Sequence, residues 1–138
     1  MYPLAQILHT KGYYLTGSDN NETATLDAVR KMGIPVMLGQ KAENIEGADL
    51  IVFSAAIMED NPELIAAREA AKHGVRLAER AELLGLVTEQ FSKAFCVSGT
   101  HGKTTTTSML TMIMLAANID VSAVIGGKLR AIGGSGRA

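Results

Sequence analysis

The chain has 138 residues, a net charge of −1 and one cysteine. Its Lys and Arg residues are scattered, which excludes the basic stripe of a nucleic-acid-binding surface. Its apolar runs fall short of the ~20 residues that span a bilayer. The lone Cys96 cannot form an internal disulfide, and no signal-peptide pattern follows Met1. We therefore expect a cytoplasmic protein that binds neither nucleic acid nor membrane; the sequence leaves its oligomeric state open.

Helical and strand-like segments alternate along the chain. The predicted helices cover residues 3–10, 22–32, 62–74, 80–88 and 104–117. The predicted strands cover residues 13–16, 36–38, 49–54, 75–77, 95–98 and 121–125. This alternation is typical of parallel sheets with crossover helices, so the sequence predicts an α/β fold.

Several positions refine this prediction. The apolar run over 49–54 is typical of a strand covered on both faces. Asn61 is placed to cap the helix that begins at Pro62. Cys96 lies in the predicted buried strand over 95–98 and is expected in the core. The Gly-rich residues 133–138 are expected to form a flexible tail.

The strongest chemical signal is a glycine-bracketed turn between a strand and a helix, with the sequence Val97-Ser98-Gly99-Thr100-His101-Gly102-Lys103-Thr104-Thr105. Glycines let backbone N–H groups point at an anion, and the helix N-terminus adds partial positive charge. Lys103 would reach the outer phosphates of a nucleotide, and the Thr104 hydroxyl would ligate Mg²⁺. The predicted ATP-binding residues are Gly99, Thr100, His101, Gly102, Lys103, Thr104 and Thr105.

The spacing of this turn differs from the general pattern G-x-x-x-x-G-K-[ST]. Gly99 lies three residues before Gly102, and Val97 occupies the position of the first glycine. A plain glycine turn with an exposed lysine is the alternative. His101 is interpreted as a polar loop residue near phosphates, with a catalytic base as the other possibility.

Two residues near strand ends are candidates for binding a second ligand. Asp19 ends a turn after a predicted strand, where dinucleotide-type domains place an acidic residue beside a ribose. Ser54 follows the most apolar strand, and ligands of open α/β sheets bind at the carboxyl ends of the strands. A solvated turn explains Gly17-Ser18-Asp19 equally well. The first strand and glycine turn of such a domain would precede Met1.

Taken together, these segments resemble the Mur ligase family. The matching segments are Gly17-Ser18-Asp19, Ala42-Glu43-Asn44-Ile45, residues 49–57, Asp60-Asn61-Pro62-Glu63-Leu64, Arg80-Ala81-Glu82-Leu83, residues 98–107 and Ile125-Gly126-Gly127. The resemblance implies a Rossmann-like, UDP-substrate-binding parallel-sheet domain over residues 1–90, lacking its first strand. It implies the start of a central P-loop ATPase domain over residues 91–138.

The resemblance also implies an activity. ATP phosphorylates the lactyl carboxylate of UDP-N-acetylmuramate, and the amine of L-alanine attacks the acyl phosphate. The implied cofactors are ATP and Mg²⁺, with Lys103 and Thr104 as catalytic residues, Thr104 on Mg²⁺, and Asp19 and Ser54 on the UDP side. The family's acidic metal ligands and carboxy-terminal domain have no counterpart here, so we expect no ligation by this chain alone.

Other functions fit the same loop. A P-loop kinase or general NTPase would use the same phosphate-binding loop with another phosphoryl acceptor. A non-catalytic module would bind nucleotide without turnover. The hypothesis of an NAD-dependent enzyme rests on Asp19 alone, and the glycine turn that such an enzyme needs is missing from this sequence. A rise in melting temperature with UDP or UDP-N-acetylmuramate would favour the ligase over the kinase.

Overall fold

The computed structural model describes residues 1–138 and divides them into two compact units. One unit consists of residues 15–91, and the other combines residues 1–14 with residues 92–138. The helices are α1 (Tyr2–Thr10), α2 (Ala24–Lys31), α3 (Pro62–Lys72), α4 (Arg80–Thr88) and α5 (Lys103–Ala116). The strands are β1 (Gly17–Asp19), β2 (Val36–Leu38), β3 (Leu50–Phe53), β4 (Arg76–Glu79), β5 (Ala123–Leu129) and β6 (Gly134–Arg137). Short 3-10 helices cover Ala42–Ile45 and Arg130–Ile132.

The unit of residues 15–91 contains two strand–helix–strand segments. β1 pairs in parallel with β2 after helix α2, with Gly17 opposite Val36. β3 pairs in parallel with β4 after helix α3, with Leu50 opposite Arg76. The buried apolar side chains come from the helices, β4 and the turn before β2: Leu26, Ile34, Leu64, Ala67, Ala78, Leu83 and Val87. The predicted α/β fold with parallel sheets is confirmed.

Helix α3 begins as its sequence predicts. The Asn61 side-chain oxygen accepts hydrogen bonds from the amides of Glu63 and Leu64, at 3.0 and 3.2 Å. Pro62 occupies the first turn, where its missing N–H costs nothing. Asn61 is therefore the N-cap of α3, as predicted.

The second unit is built on an antiparallel hairpin. β5 pairs with β6, and helix α1 packs against both strands while helix α5 packs against β5. Gly136 of β6 is buried, and a Cβ there would lie 2.5 Å from the Pro3 Cβ. The Arg137 guanidinium donates to the Val121 carbonyl at 3.0 Å and to Asp120 at 2.9 Å. The predicted flexible tail over 133–138 is therefore wrong, because strand pairing and a close glycine contact fix it.

Other predicted strands also differ from the structure. Residues 13–16 form no strand; the strand begins at Gly17, whose amide donates to the Pro35 carbonyl. Residues 95–98 form no strand either, because no neighbouring strand pairs with them, and Phe95 is 69% exposed. Cys96 is exposed and not in the core.

The most apolar strand is less covered than its sequence predicts. Leu50 is 37% exposed, and the other residues of β3 are half-buried. β3 pairs only with β4, so one of its edges has no strand partner. Separately, none of the helices combines the length and apolar character needed to cross a bilayer.

The predicted domains, residues 1–90 and 91–138, stay a prediction. The compact units change over at residue 91, close to that boundary. They differ in the placement of helix α1, which packs with the hairpin of β5 and β6.

Candidate functional site

The predicted phosphate-binding loop bends sharply before helix α5. Gly99 has a φ of 149° and Gly102 a φ of 79°, both in the region that favours glycine. Gly102 is the N-cap of α5, and no side chain caps this helix. The first amides of α5 are therefore left for another acceptor, and a helix N-terminus of this kind suits an anion.

Lys103 lies back across the loop. Its ammonium donates to the carbonyl of Gly99 at 2.6 Å and to the carbonyl of Thr100 at 3.2 Å. An ammonium has three donors, so one is left for a ligand once these two bonds are made. The structure thus brings Gly99, Thr100 and Lys103 together within one loop.

The threonines that follow Lys103 differ in their bonding. Thr107 donates to the Lys103 carbonyl at 2.8 Å, and Thr111 donates to the Thr107 carbonyl at 2.8 Å. Thr104 and Thr105 are exposed, and no hydrogen bond within the chain is recorded for either hydroxyl. The Thr104 hydroxyl is therefore available to a ligand, whereas those of Thr107 and Thr111 are used inside the helix.

The Thr104 hydroxyl is the predicted magnesium ligand of this loop. No group of three or more His, Cys, Asp or Glu side chains is positioned to hold a metal ion. Mg²⁺ in nucleotide sites is usually bound through one or two protein groups together with phosphates and waters. The exposed Thr104 hydroxyl beside an uncapped helix N-terminus fits this arrangement.

His101 lies in the same loop and is exposed. No carboxylate of the chain forms an ion pair with its ring; the only histidine ion pair is that of His73 with Glu69. A general base needs an orienting partner or a substrate proton within reach. The role of His101 stays a prediction.

Asp19 and Ser54 both lie at carboxyl ends of parallel strands. Asp19 is the last residue of β1, is half-buried, and accepts a hydrogen bond from the Asn21 amide at 3.0 Å. Ser54 follows β3 directly, is half-buried, and its carbonyl accepts from the Ile57 amide at 3.0 Å. No hydrogen bond joins their side chains, and their role in ligand binding stays a prediction.

A polar cluster of Ser18, Asn44 and Glu63, called the Glu63 cluster, lies next to Asp19 and was not predicted. The Glu63 carboxylate accepts from the Ser18 hydroxyl at 2.8 Å and from the Asn44 amide group at 3.1 Å. The Asn44 amide group also donates to the Gly39 carbonyl at 3.0 Å. These contacts join the segments Gly17-Ser18-Asp19, Ala42-Glu43-Asn44-Ile45 and Asp60-Asn61-Pro62-Glu63-Leu64. All three segments carry the family resemblance, which is the one sequence signal that could have linked them. Their spacing along the chain does not predict that they meet.

The carboxyl groups whose pKa values are lowered lie outside the loop, in surface ion pairs. Hydrogen bonds from Arg30 lower the pKa of Glu22, and the Arg68 guanidinium lowers the pKa of Glu59. The Lys72 ammonium lowers the pKa of Glu69. These three pKa values report surface pairing in residues 15–91 and mark no catalytic acid.

Comparison with known proteins places the chain. A model described as Mur ligase family, catalytic domain, matches residues 1–92. The UDP-N-acetylmuramate–L-alanine ligase of Lachnoclostridium phytofermentans is 46% identical over 136 residues, which cover 98% of this chain and 28% of that protein. The corresponding ligase of Alkaliphilus metalliredigens is 42% identical over 135 residues, with 98% and 29% covered.

Solved structures give the same result for the fold. UDP-N-acetylmuramate–alanine ligase MurC from Thermotoga maritima matches with a TM-score of 0.89 and 29% identity, over 99% of this chain and 32% of that one. The murein peptide ligase Mpl of Psychrobacter arcticus matches with a TM-score of 0.82 and 27% identity, over 98% of this chain and 30% of that one. The chain spans less than a third of the length of these relatives. On the family match over residues 1–92, the chain belongs to the Mur ligase family.

Proposed function

We propose that this chain carries nucleotide-binding parts of a cytoplasmic, ATP-dependent ligase that joins L-alanine to UDP-N-acetylmuramate in peptidoglycan precursor synthesis. One observation carries the proposal. Relatives named for this activity are 42–46% identical to the chain over 98% of its length. The uncapped start of α5 and the folded-back Lys103 support an ATP site in the same chain.

The proposed reaction activates a poor electrophile. A carboxylate resists attack by an amine, so the γ-phosphoryl group of ATP is transferred to the lactyl carboxylate, giving an acyl phosphate and ADP. The uncharged amine of L-alanine then attacks the acyl carbon. Phosphate leaves as the amide bond forms, and the amine gives up a proton.

The chain's own residues would stabilise the charge on the transferring phosphoryl group. The amides at the start of α5 would donate to phosphate oxygens, and Lys103 would add a positive charge. We assign ATP binding to Gly99–Thr105. The Thr104 hydroxyl would hold Mg²⁺, which when bound neutralises charge on the phosphates.

We propose that the UDP moiety binds in a Rossmann-like domain formed by residues 1–90, and that residues 91–138 belong to a P-loop ATPase domain. Asp19 and Ser54 are the proposed contacts on the UDP side. Their support is position, since both lie where parallel strands end. The Glu63 cluster would hold the end of β1, next to Asp19.

ATP titration of the purified chain by calorimetry tests the ATP site. We expect binding that Lys103→Ala weakens about tenfold or more, because hydrogen bonds to charged groups are worth about 1.5–3 kcal/mol. Lys31→Ala removes an exposed lysine at the end of α2 and serves as the matched control. Equal ATP affinity for the Lys103→Ala variant and the unmodified chain would contradict the assignment.

Thermal unfolding with UDP-N-acetylmuramate or UDP tests the acceptor. A ligand that binds the folded state raises the melting temperature. We expect such a rise, and expect Asp19→Ala to reduce it. ATP binding without any effect of either UDP compound would instead favour a kinase or general NTPase.

A further inference from the structure

The glycine pair Gly126-Gly127 lies in β5 between Val124 and Leu129, where the pairing with β6 is irregular. Both residues belong to β5, and neither has a positive φ. Glycine in a strand interior costs conformational entropy and removes a packing side chain. Glycine at such positions marks a bulge or the close approach of another group. The shifted register of β5 is consistent with a bulge, and a second group also lies close.

That group is the side chain of Thr104. A Cβ at position 126 would lie 3.1 Å from the Thr104 Oγ1, and a Cβ at position 127 would lie 3.1 Å from the Thr104 Cγ2. Both separations are tighter than ordinary van der Waals contact, so either added methyl group would force the threonine to move. The two glycines therefore face the two branches of one β-branched side chain.

This contact has consequences for the direction of the hydroxyl. Threonine has few allowed χ1 rotamers in a helix, and its Oγ1 can turn toward the carbonyl one turn earlier. Thr104 is exposed, and no hydrogen bond is recorded for its hydroxyl, so no bond within the chain sets its rotamer. The strand backbone at Gly126-Gly127 is the neighbour that both of its branches meet.

We infer that the backbone at Gly126-Gly127 positions the Thr104 hydroxyl for the metal ion of bound Mg·ATP. This inference rests on the proposed function, because it assigns the glycines to the proposed ATP site. The glycines are positioning residues: they act through Thr104 and touch neither metal nor phosphate in this role. A Cβ at either position would displace the Thr104 side chain by a few tenths of an ångström and shift its hydroxyl.

The two glycines meet different atoms, and this difference allows a sharp test. Thr104→Ser deletes the Cγ2 atom and keeps the hydroxyl. In that background Gly127→Ala has lost its clashing partner, whereas Gly126→Ala still meets the hydroxyl. The test is to measure the ATP affinity of the purified chain once in Mg²⁺ and once in EDTA. The ratio of the two affinities gives the contribution of the metal ion.

We expect Gly126→Ala and Gly127→Ala each to lower this ratio about tenfold, with a much smaller change in EDTA. With the Thr104→Ser variant as reference, Gly127→Ala should have no further effect, and Gly126→Ala should keep its effect. This is a double-mutant cycle in which only the 104–127 pair couples through the methyl group. Gly85→Ala is the control, since a Cβ there meets nothing within 4 Å.

A second readout needs no nucleotide. Three-bond NMR couplings report the χ1 rotamer of Thr104 in the free chain, and we expect Gly126→Ala to change it. An unchanged rotamer, or an equal loss of ATP affinity in Mg²⁺ and in EDTA, would contradict the positioning of the Thr104 hydroxyl by the two glycines. Failure of the unmodified chain to bind ATP would overturn the proposed ATP site and the metal role with it, while the couplings would still decide whether the glycines fix the rotamer.

Discussion

The Glu63 carboxylate accepts a hydrogen bond from the Ser18 hydroxyl at 2.8 Å, although 45 residues separate the two along the chain. Both carboxylate oxygens lie at this distance from the hydroxyl. The bond ties the start of α3 to β1 within the unit of residues 15–91. It holds the residue that precedes Asp19 in the strand.

Glu63→Ala should lower the free energy of unfolding by about 1–2 kcal/mol, because the half-buried Ser18 hydroxyl loses its acceptor and the Asn44 amide group loses one of its two. Chemical denaturation of the full chain measures the change. The control is Glu69→Ala in the same helix, whose exposed ion pair with Lys72 is worth little. Equal stabilities for the two variants would show that the Ser18–Glu63 bond contributes nothing.

Asn61→Ala should cost about 1 kcal/mol of stability, because the amides of Glu63 and Leu64 lose their capping acceptor. Asn61→Asp keeps an acceptor and places a negative charge at the helix N-terminus, so it should cost less. Urea unfolding compares the two. An Asp variant as unstable as the Ala variant would mean that the side-chain bond from Asn61 to Gln40 matters more than the cap.

Gly136→Ala should destabilise the unit that contains α1 by about 1–3 kcal/mol, the usual cost of overpacking. A Cβ there would lie 2.5 Å from the Pro3 Cβ and 2.7 Å from the Gln6 Oε1. Gly134→Ala is the matched control in the same strand, where the nearest atom is the Tyr2 Cε1 at 3.7 Å. Hydrogen exchange of the α1 amides would locate the effect, and unchanged exchange in Gly136→Ala would refute the contact.

The Glu22–Arg30 pair should make stability depend on pH in the acid range. The two hydrogen bonds from Arg30 lower the pKa of Glu22 in the folded chain. The pair's contribution is therefore present above the unfolded-state pKa and is lost as the pH falls through the lower, folded-state pKa. Carboxyl NMR titration should find that Arg30→Ala raises the pKa of Glu22, because the variant removes both hydrogen bonds. An unchanged pKa of Glu22 in that variant would contradict the pairing.

Local rules predicted the helices well. The start of α3 at Asn61-Pro62 and the whole of α4 match the structure, because caps and proline act within one turn. The glycine turn before α5 was likewise visible from Gly99, Gly102 and Lys103. These features depend on neighbours in sequence, so one sequence is enough to find them.

Strand pairing was harder to predict. An apolar run such as 95–98 is attractive as a strand, yet a strand needs a partner, and none pairs with it. Conversely, the glycine-rich residues 134–137 form β6 because they pair with β5 and because Gly136 lets the strand pass close to Pro3. The Glu63 cluster was missed for the same reason, since its members meet only after folding. Long-range pairing of this kind leaves no periodic signal in a single sequence.

Helix α1 and strand β6 pack together, although they belong to opposite ends of this chain. During synthesis the helix therefore emerges long before its partner, while residues 15–91 have all their own contacts available earlier. Residues 15–91 can therefore fold before β6 has been synthesised, whereas α1 can pack against β6 only afterwards. Excising residues 92–138 alone would remove α1 from its packing, so a shorter version of that unit needs the helix reattached through a linker.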